Sequence, residues 1–357
     1  MQNHFKYLDG FRGFAALMVF FGHSSWNGEV YGINFTGWGK FGVILFFILS
    51  AFLLSNQLLS NYKKSFFEKK YIINWYSKRF LRIYPLYSMY LLASLLTSYY
   101  LVYILPEGWG KFGLPLTINF QEFYRMFFLL ESKSILWSIV VEFKFYIILP
   151  FFIYLISFIK NKKILITFII FLIFLIDYST EYKPEKNQIE LSVYSSVFLI
   201  GILAALIFKY KENIKSKKFY VNLISILGIF SFILLLLSIP DFVLILTENV
   251  NNFNRMILFQ SAIGFFLLLY LVFFENTIIC NFFNLKILRS IGEISYGFYL
   301  FHEPILRVAI WYLEKNIYYA IITFIITFLI SKLSYHLFEL YFIKIGKNTT
   351  ILKSSNI

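Results

Sequence analysis

Ten runs of mainly apolar residues recur along the chain, each near the ~20 residues that a helix needs to cross a bilayer. They lie at about 8–26, 40–59, 84–104, 135–159, 163–178, 189–208, 219–240, 257–275, 294–313 and 317–342. This pattern leaves few folds open. Runs of this length fit membrane-crossing helices, whose backbone N–H and C=O groups are satisfied internally. The predicted fold is an all-α polytopic membrane protein with about ten transmembrane helices. The composition agrees, since 59% of the 357 residues are hydrophobic and 15% charged, against roughly 45–50% and about 25% in soluble domains. That balance argues against a soluble enzyme, a disordered chain and a secreted disulfide scaffold. A single cysteine, Cys280, allows no internal disulfide. No cleavage pattern follows the first run, which is expected to stay as an uncleaved helix.

The net charge is +14, and its placement explains most of it. Of the 33 Lys and Arg, 22 fall on connections of one side, including seven between Lys63 and Arg82 and five between Lys209 and Lys218. The opposite connections hold eight, and Lys144, Arg307 and Lys332 lie inside runs. By the positive-inside rule both termini are expected in the cytoplasm. No basic module with interleaved aromatics stands apart from the runs, so nucleic acid is not an expected partner. Residues 1–345 read as a single transmembrane domain and 346–357 as a short cytoplasmic tail. The longest outer connection, about 105–134, carries Pro106, Gly108, Gly110, Gly113 and Pro115 as turn residues. Its Trp and Tyr suit an interfacial re-entrant stretch. No internal repeat is visible, which disfavours an inverted-repeat transporter.

Ionisable residues inside spans are costly and point to function by default. In the first run Arg12 and His23 are eleven residues apart, within roughly 20° of one face and about 16 Å along the helix. Asp9 is in i,i+3 reach of Arg12. Together they read as a polar seam, or as a snorkelling anchor with an interfacial histidine. Arg79 and Arg82 share a helix face at the cytoplasmic mouth, before a span opened by Pro85. Paired guanidiniums there suit phosphates, although positive-inside anchoring would place them equally well. Glu142 is expected in the outer half of its span, at the depth of His23. The plain alternative is an ion pair with no catalytic part. His302 and Glu303 are expected near mid-membrane with a kink at Pro304, and Arg307 is placed to pair with Glu303. His336 and Glu339 read as residues that close the bundle. The histidines show no paired ligand spacing, so no metal is expected.

At these residues the sequence resembles membrane acyltransferase family 3, the bacterial integral-membrane O-acyltransferases, over about 5–343. Asp9-x-x-Arg12-Gly13 with His23 resembles the first-helix signature. Gly42-Val43-x-Leu45-Phe46-Phe47-x-Leu49-Ser50-Ala51-Phe52-Leu53 resembles the second-helix motif, where the family commonly has Gly at the position of Ala51. Arg79-x-x-Arg82-Ile83-x-Pro85 resembles the basic motif. Trp137-Ser138 with Glu142-x-x-Phe145-Tyr146 resembles a further one, with Phe143 where a second acid is usual. Ile294-Ser295-Tyr296 through His302-x-Pro304 resembles the late motif.

The resemblance implies transfer of an acyl group, often acetyl, from cytoplasmic acyl-CoA to a hydroxyl of an extracytoplasmic glycan. It implies that His23 is the catalytic histidine, that Arg79 and Arg82 are a basic motif needed for activity and that Arg12 is the first-helix arginine; the donor site is expected at Arg12, Arg79 and Arg82, with no permanently bound cofactor. Acyl-CoA, a glycan or glycolipid acceptor and membrane lipids are then the expected partners. In that scheme the CoA phosphates meet Arg79 and Arg82 and the pantetheine arm follows the Arg12 seam. His23 acts as general base, or as a transient acyl carrier. Glu142, the second expected catalytic residue, orients His23 or the acceptor. The competing class is a transporter or flippase of an anionic or lipid-linked solute using the same buried charges.

Overall fold

The computed structural model describes residues 6–24, 33–35, 37–65, 69–104, 117–180, 189–239, 256–309, 312–313 and 317–348. The turn residues from Pro106 to Pro115, and the tail beyond 348, lie outside the described residues. In chain order the helices are α1 (Lys6–Ser24), α2 (Trp38–Ser65), α3 (Lys69–Ile104), α4 (Phe120–Phe127), α5 (Trp137–Ile156), α6 (Lys162–Ser179), α7 (Leu191–Lys209) and α8 (Lys211–Lys215). They continue as α9 (Lys218–Leu237), α10 (Ile257–Phe273), α11 (Ile278–Phe283), α12 (Lys286–Glu293), α13 (Ser295–Ala309), α14 (Ile317–Ser334) and α15 (Leu340–Asn348). A π-helical turn, Tyr335–Glu339, joins the last two. No strand occurs among the described residues. Each of the ten apolar runs coincides with helix. Among the described residues five stretches are long and apolar enough to cross a membrane: Trp38–Ser60, Ser134–Ile156, Leu191–Lys209, Lys218–Leu237 and Tyr318–Lys347. Pro85 lies inside a helix, because α3 begins at Lys69 and runs through it. Likewise α13 continues past Pro304 to Ala309.

The chain divides into two compact units. The first comprises Met1–Lys64 with Ile148–Glu293. Its organising helix, α1, packs backbone to backbone. A Cβ on Gly10 would collide with the Phe283 carbonyl, one on Gly13 with that of Leu288, and one on Gly292 with that of Asp9. Glycine on both sides therefore seats α1 on α11 and α12, the small-residue packing typical of membrane helices. Phe11 and Phe14 close over the contact with edge-on rings against Phe283. On its other side α1 meets α2, where Gly42 faces the Ala15 carbonyl and Gly22 faces Gly39. A Cβ on Gly201 of α7 would lie 2.5 Å from the Ala51 Cβ. The methyl at 51, where the family commonly has Gly, thus fits because its partner across the interface is bare. Helix α9 is buried over only 17% of its span, and its exposed Phe219, Ile226 and Phe230 make a face suited to lipid tails. Replacing Gly13 or Gly292 by Ala is expected to cost about 1–3 kcal/mol, since the obstruction is backbone and cannot rotate away. Thermal unfolding of the purified variants checks this, and unchanged midpoints would refute the packing role.

The second unit comprises Ser65–Ile147 with Ile294–Ile357. In it α13 packs on α14, α15 on α3, and α4 along α3. Helix α14 carries Thr323, Thr327 and Ser331, fully buried at four-residue spacing. Each hydroxyl donates to the carbonyl four residues back, so the stripe needs no outside partner. Helix α4 begins with a capping box in which Asn119 and Glu122 exchange side-chain and backbone bonds. Its last carbonyls, orphaned at any helix end, accept from the Tyr87 hydroxyl at Met126 and the Tyr84 hydroxyl at Phe127, both at 2.8 Å. Ile118 N–H meets Ser98 Oγ at the other end. The stretch from 118 to 127 therefore runs back along α3 from Ser98 to Tyr84. Ion pairs Lys133–Glu122 and Arg125–Glu131 fix its return. Burial tends to raise the Glu122 carboxyl. The Lys133 hydrogen bond, the Asn119 N–H and the Lys133 charge outweigh it and hold the group below its ordinary value.

Candidate active site

In the first unit the site residues lie on α1. Asp9, Arg12 and His23 occupy one arc of the helix and all three remain partly exposed. Arg12 Nη1 lies 3.5 Å from Asp9 Oδ1, the expected i,i+3 pair. His23 sits in the last turn of the helix. Gly39 of α2 lies beneath its ring, with the Cε1 atom 3.6 Å from where a Cβ would stand. An imidazole is thus set at a helix end, over a bare glycine, with part of its edge accessible. The expected seam is interrupted, however. Ala16, Val19 and Phe20, between Arg12 and His23, are each at most 2% exposed. The two ends of the arc are open and its middle is filled.

The second unit gathers the arginines. Arg79 Cζ stands 4.9 Å from the ring centroid of Trp75, a cation–π contact on an indole only 2% exposed. The Trp75 ring in turn meets Tyr146 edge-on at 6.4 Å. Tyr146 donates its hydroxyl to Glu142 Oε1 at 2.5 Å. Glu142 therefore belongs with the Arg79 face. The sequence placed it away from the cytoplasmic mouth, but α5 runs antiparallel along α3, with Phe143 against Tyr84 and Tyr76 donating to the Ile147 carbonyl. Phe143, in the place of the family's second acid, is buried against Tyr84 and Tyr146.

This face is strongly cationic. Burial above all, then Tyr146 in opposition and Arg82 in support, bring the Arg79 guanidinium down to about 10, so it stays charged at neutral pH. Burial, then Arg79 and Lys347, push the Lys78 ammonium below its ordinary value. Lys78 lies beside α15, where Gly346 packs against it. Four cations at 78, 79, 82 and 347 raise one another's potential, the condition under which a polyanion binds well.

One acid near this face has no site role in the sequence reading. Glu339, 5% exposed, ends the π-helical turn. It accepts from Ser334 at 3.5 Å and feels the charge of Arg82. Gly297 makes room for it, since a Cβ there would come 2.9 Å from Glu339 Oε1. Such turns often mark functional sites, but nothing in a linear pattern predicts a register change of one residue.

His302 is fully buried and its Nδ1 lies 2.6 Å from the Tyr299 carbonyl. A carbonyl only accepts, so Nδ1 carries the proton and the ring is tied locally. Glu303 pairs with Arg307 at 2.8 Å, as its spacing predicts. His336 is exposed. Cys280 is buried, its thiol 3.4 Å from the Phe274 carbonyl. Among the described residues no group of three or more His, Cys, Asp or Glu stands close enough to hold a metal.

The sequence matches the acyltransferase family model described as "Acyltransferase domain" over residues 5–336. A similar protein is the peptidoglycan O-acetyltransferase OatA of Listeria monocytogenes, 25% identical over 361 residues. The alignment covers 93% of this chain and 54% of that protein, so the chain spans about half the length of the curated relative it matches. No solved structure matches.

Proposed function

The chain belongs to this acyltransferase family, and from that premise we propose that it is an integral-membrane O-acyltransferase. It moves an acyl group, acetyl in the first instance, from cytoplasmic acyl-CoA to a hydroxyl of a cell-surface or lipid-linked glycan. The relative's peptidoglycan activity supports a glycan acceptor. The observation that carries the donor half is the cationic face of α3, where Lys78, Arg79 and Arg82 stand with Lys347 of α15. A CoA carries several phosphate charges, and guanidiniums match phosphate geometry with paired N–H groups.

In this reading ten helices of one domain, residues 1–345, cross the bacterial cytoplasmic membrane, with both termini and the 346–357 tail inside. The 22 Lys and Arg on one side support that orientation. Arg79 and Arg82 hold the CoA phosphates. Glu142 is a positioning residue, acting through Tyr146 on the Arg79 face. Arg12, held by Asp9, is a further donor contact. His23 takes the proton from the acceptor hydroxyl as the oxygen attacks the thioester carbonyl. The acyl C–S bond breaks, the new C–O bond forms, and the proton passes to the departing CoA thiolate. No permanent cofactor enters.

The test is mass spectrometry of surface glycan from cells with and without the protein, paired with radiolabelled acetyl-CoA supplied to washed membranes. Base-labile acetyl ester on glycan, present only with the protein, is the expected result. Equal ester content in both, or uptake of label without ester, would overturn the proposal.

A further inference from the structure

Helix α13 presents Tyr296, Tyr299, Glu303 and Arg307 at spacings of three, four and four, a single stripe on its surface. The stripe starts at the arginine face, because the Tyr296 hydroxyl donates to the carbonyl of Ile83, the neighbour of Arg82. It ends about 16 Å further on, at a charged group that the donor chemistry leaves unused. Glu303 is only 2% exposed. The Ser134 hydroxyl lies 2.5 and 2.6 Å from its two oxygens. Arg307 approaches Oε1 with Nε at 3.1 Å and Nη2 at 2.8 Å.

Two features are poorly explained by packing alone. A buried ion pair is seldom more stable than an apolar pair of similar volume, yet here one partner is buried and the other, Arg307, has a side chain 39% exposed. In addition Ser134 adopts φ 52°, a left-handed backbone that is costly for a residue with a Cβ. Strain of this kind tends to collect where a side chain must be aimed. Here it aims the hydroxyl at Glu303, which in turn fixes the plane of the Arg307 guanidinium.

We infer that Arg307, oriented by Glu303 and Ser134, binds the acceptor glycan. The inference rests on the acyltransferase reading above and adds the acceptor subsite to it. Glu303 engages the Nε–Nη2 edge, and the partly exposed Arg307 side chain offers a rigid planar fork to a ligand. The Glu303–Arg307 pair is neutral as a unit, so it does not favour a polyanion such as CoA. It suits a neutral, hydroxyl-rich ligand whose ring hydroxyl and amide oxygens accept hydrogen bonds. Its distance along α13 from the arginine face is of the order of an extended phosphopantetheine arm. Donor phosphates and acceptor hydroxyl would then be read at opposite ends of one helical stripe.

The experiment uses the full chain in lipid nanodiscs, with acetyl-CoA as donor and chitopentaose as the acceptor probe. Arg307→Ala is expected to raise the chitopentaose KM at least tenfold while the acetyl-CoA KM stays within twofold. Arg307→Lys keeps a charge beside Glu303 but loses the fork, and is expected to show the same split. Acceptor KM within twofold of wild type in both variants overturns the inference. So does a joint rise in both KM values, which marks a structural clasp. A wild-type chain that forms no ester overturns the acyltransferase reading itself, and this inference with it.

Discussion

Replacing His23 by alanine is expected to lower glycan ester formation by about 10²- to 10⁴-fold, the usual contribution of a positioned general base. An acceptor hydroxyl at neutral pH is a poor nucleophile, and an imidazole with an ordinary pKa near 6.5 is well matched to remove its proton. The setting fits that task. The ring sits in the last turn of α1, partly exposed, with the Cβ-free surface of Gly39 beneath it. The variant should fold, because His23 lies at the end of α1 and not in the glycine-seated contact with α11 and α12. The measurement is ester yield per mole of protein at saturating acetyl-CoA, with thermal unfolding as the control. Wild-type yield from His23→Ala would remove the catalytic assignment. A Gly39→Val substitution offers a second approach, since its side chain would meet the ring and disturb it without deleting the base.

Charge reversal at Arg79 or Arg82 is expected to raise the acetyl-CoA concentration needed for half-maximal rate by about 10- to 100-fold each. Hydrogen bonds to charged groups contribute ~1.5–3 kcal/mol, and an introduced carboxylate adds repulsion toward phosphate. Arg79 should show the larger effect. Its guanidinium is held by the Trp75 ring, and Trp75 is braced by Tyr146 and through it by Glu142. Glu142→Gln should accordingly produce a milder rise in the same parameter. Added salt should weaken donor binding in wild type more than in the reversed variants, because exposed charges are screened within about 10 Å at 0.1 M. Unchanged donor dependence in Arg79→Glu and Arg82→Glu would dismiss this face as the donor site.

What the sequence revealed here follows the range of the interactions. Helices at all ten apolar runs were legible because backbone satisfaction in hydrocarbon leaves little choice. The Asp9–Arg12 and Glu303–Arg307 pairs were legible too, being three and four residues apart. The grouping of Glu142 with Arg79 was not. It depends on the register of α5 against α3, set by contacts such as Tyr76 to Ile147 across 71 residues. The Ser134–Glu303 bond spans 169 positions and no local pattern announces it. Glu339 reads from the sequence only as a bundle-closing residue, because its burial beside Gly297 follows from a π turn. The Arg12–His23 seam was half right: the spacing gave the shared arc, while the filling of its middle by Ala16, Val19 and Phe20 is a matter of packing.

Ala51 and Gly201 meet across the α2–α7 contact with room for a single methyl. The two positions are therefore thermodynamically coupled, and substitutions there should be non-additive. Ala51→Gly combined with Gly201→Ala merely moves the methyl from one helix to the other, whereas Gly201→Ala alone puts a methyl on both and forces the backbones apart. A motif letter at 51 has no fixed meaning until the letter at 201 is known.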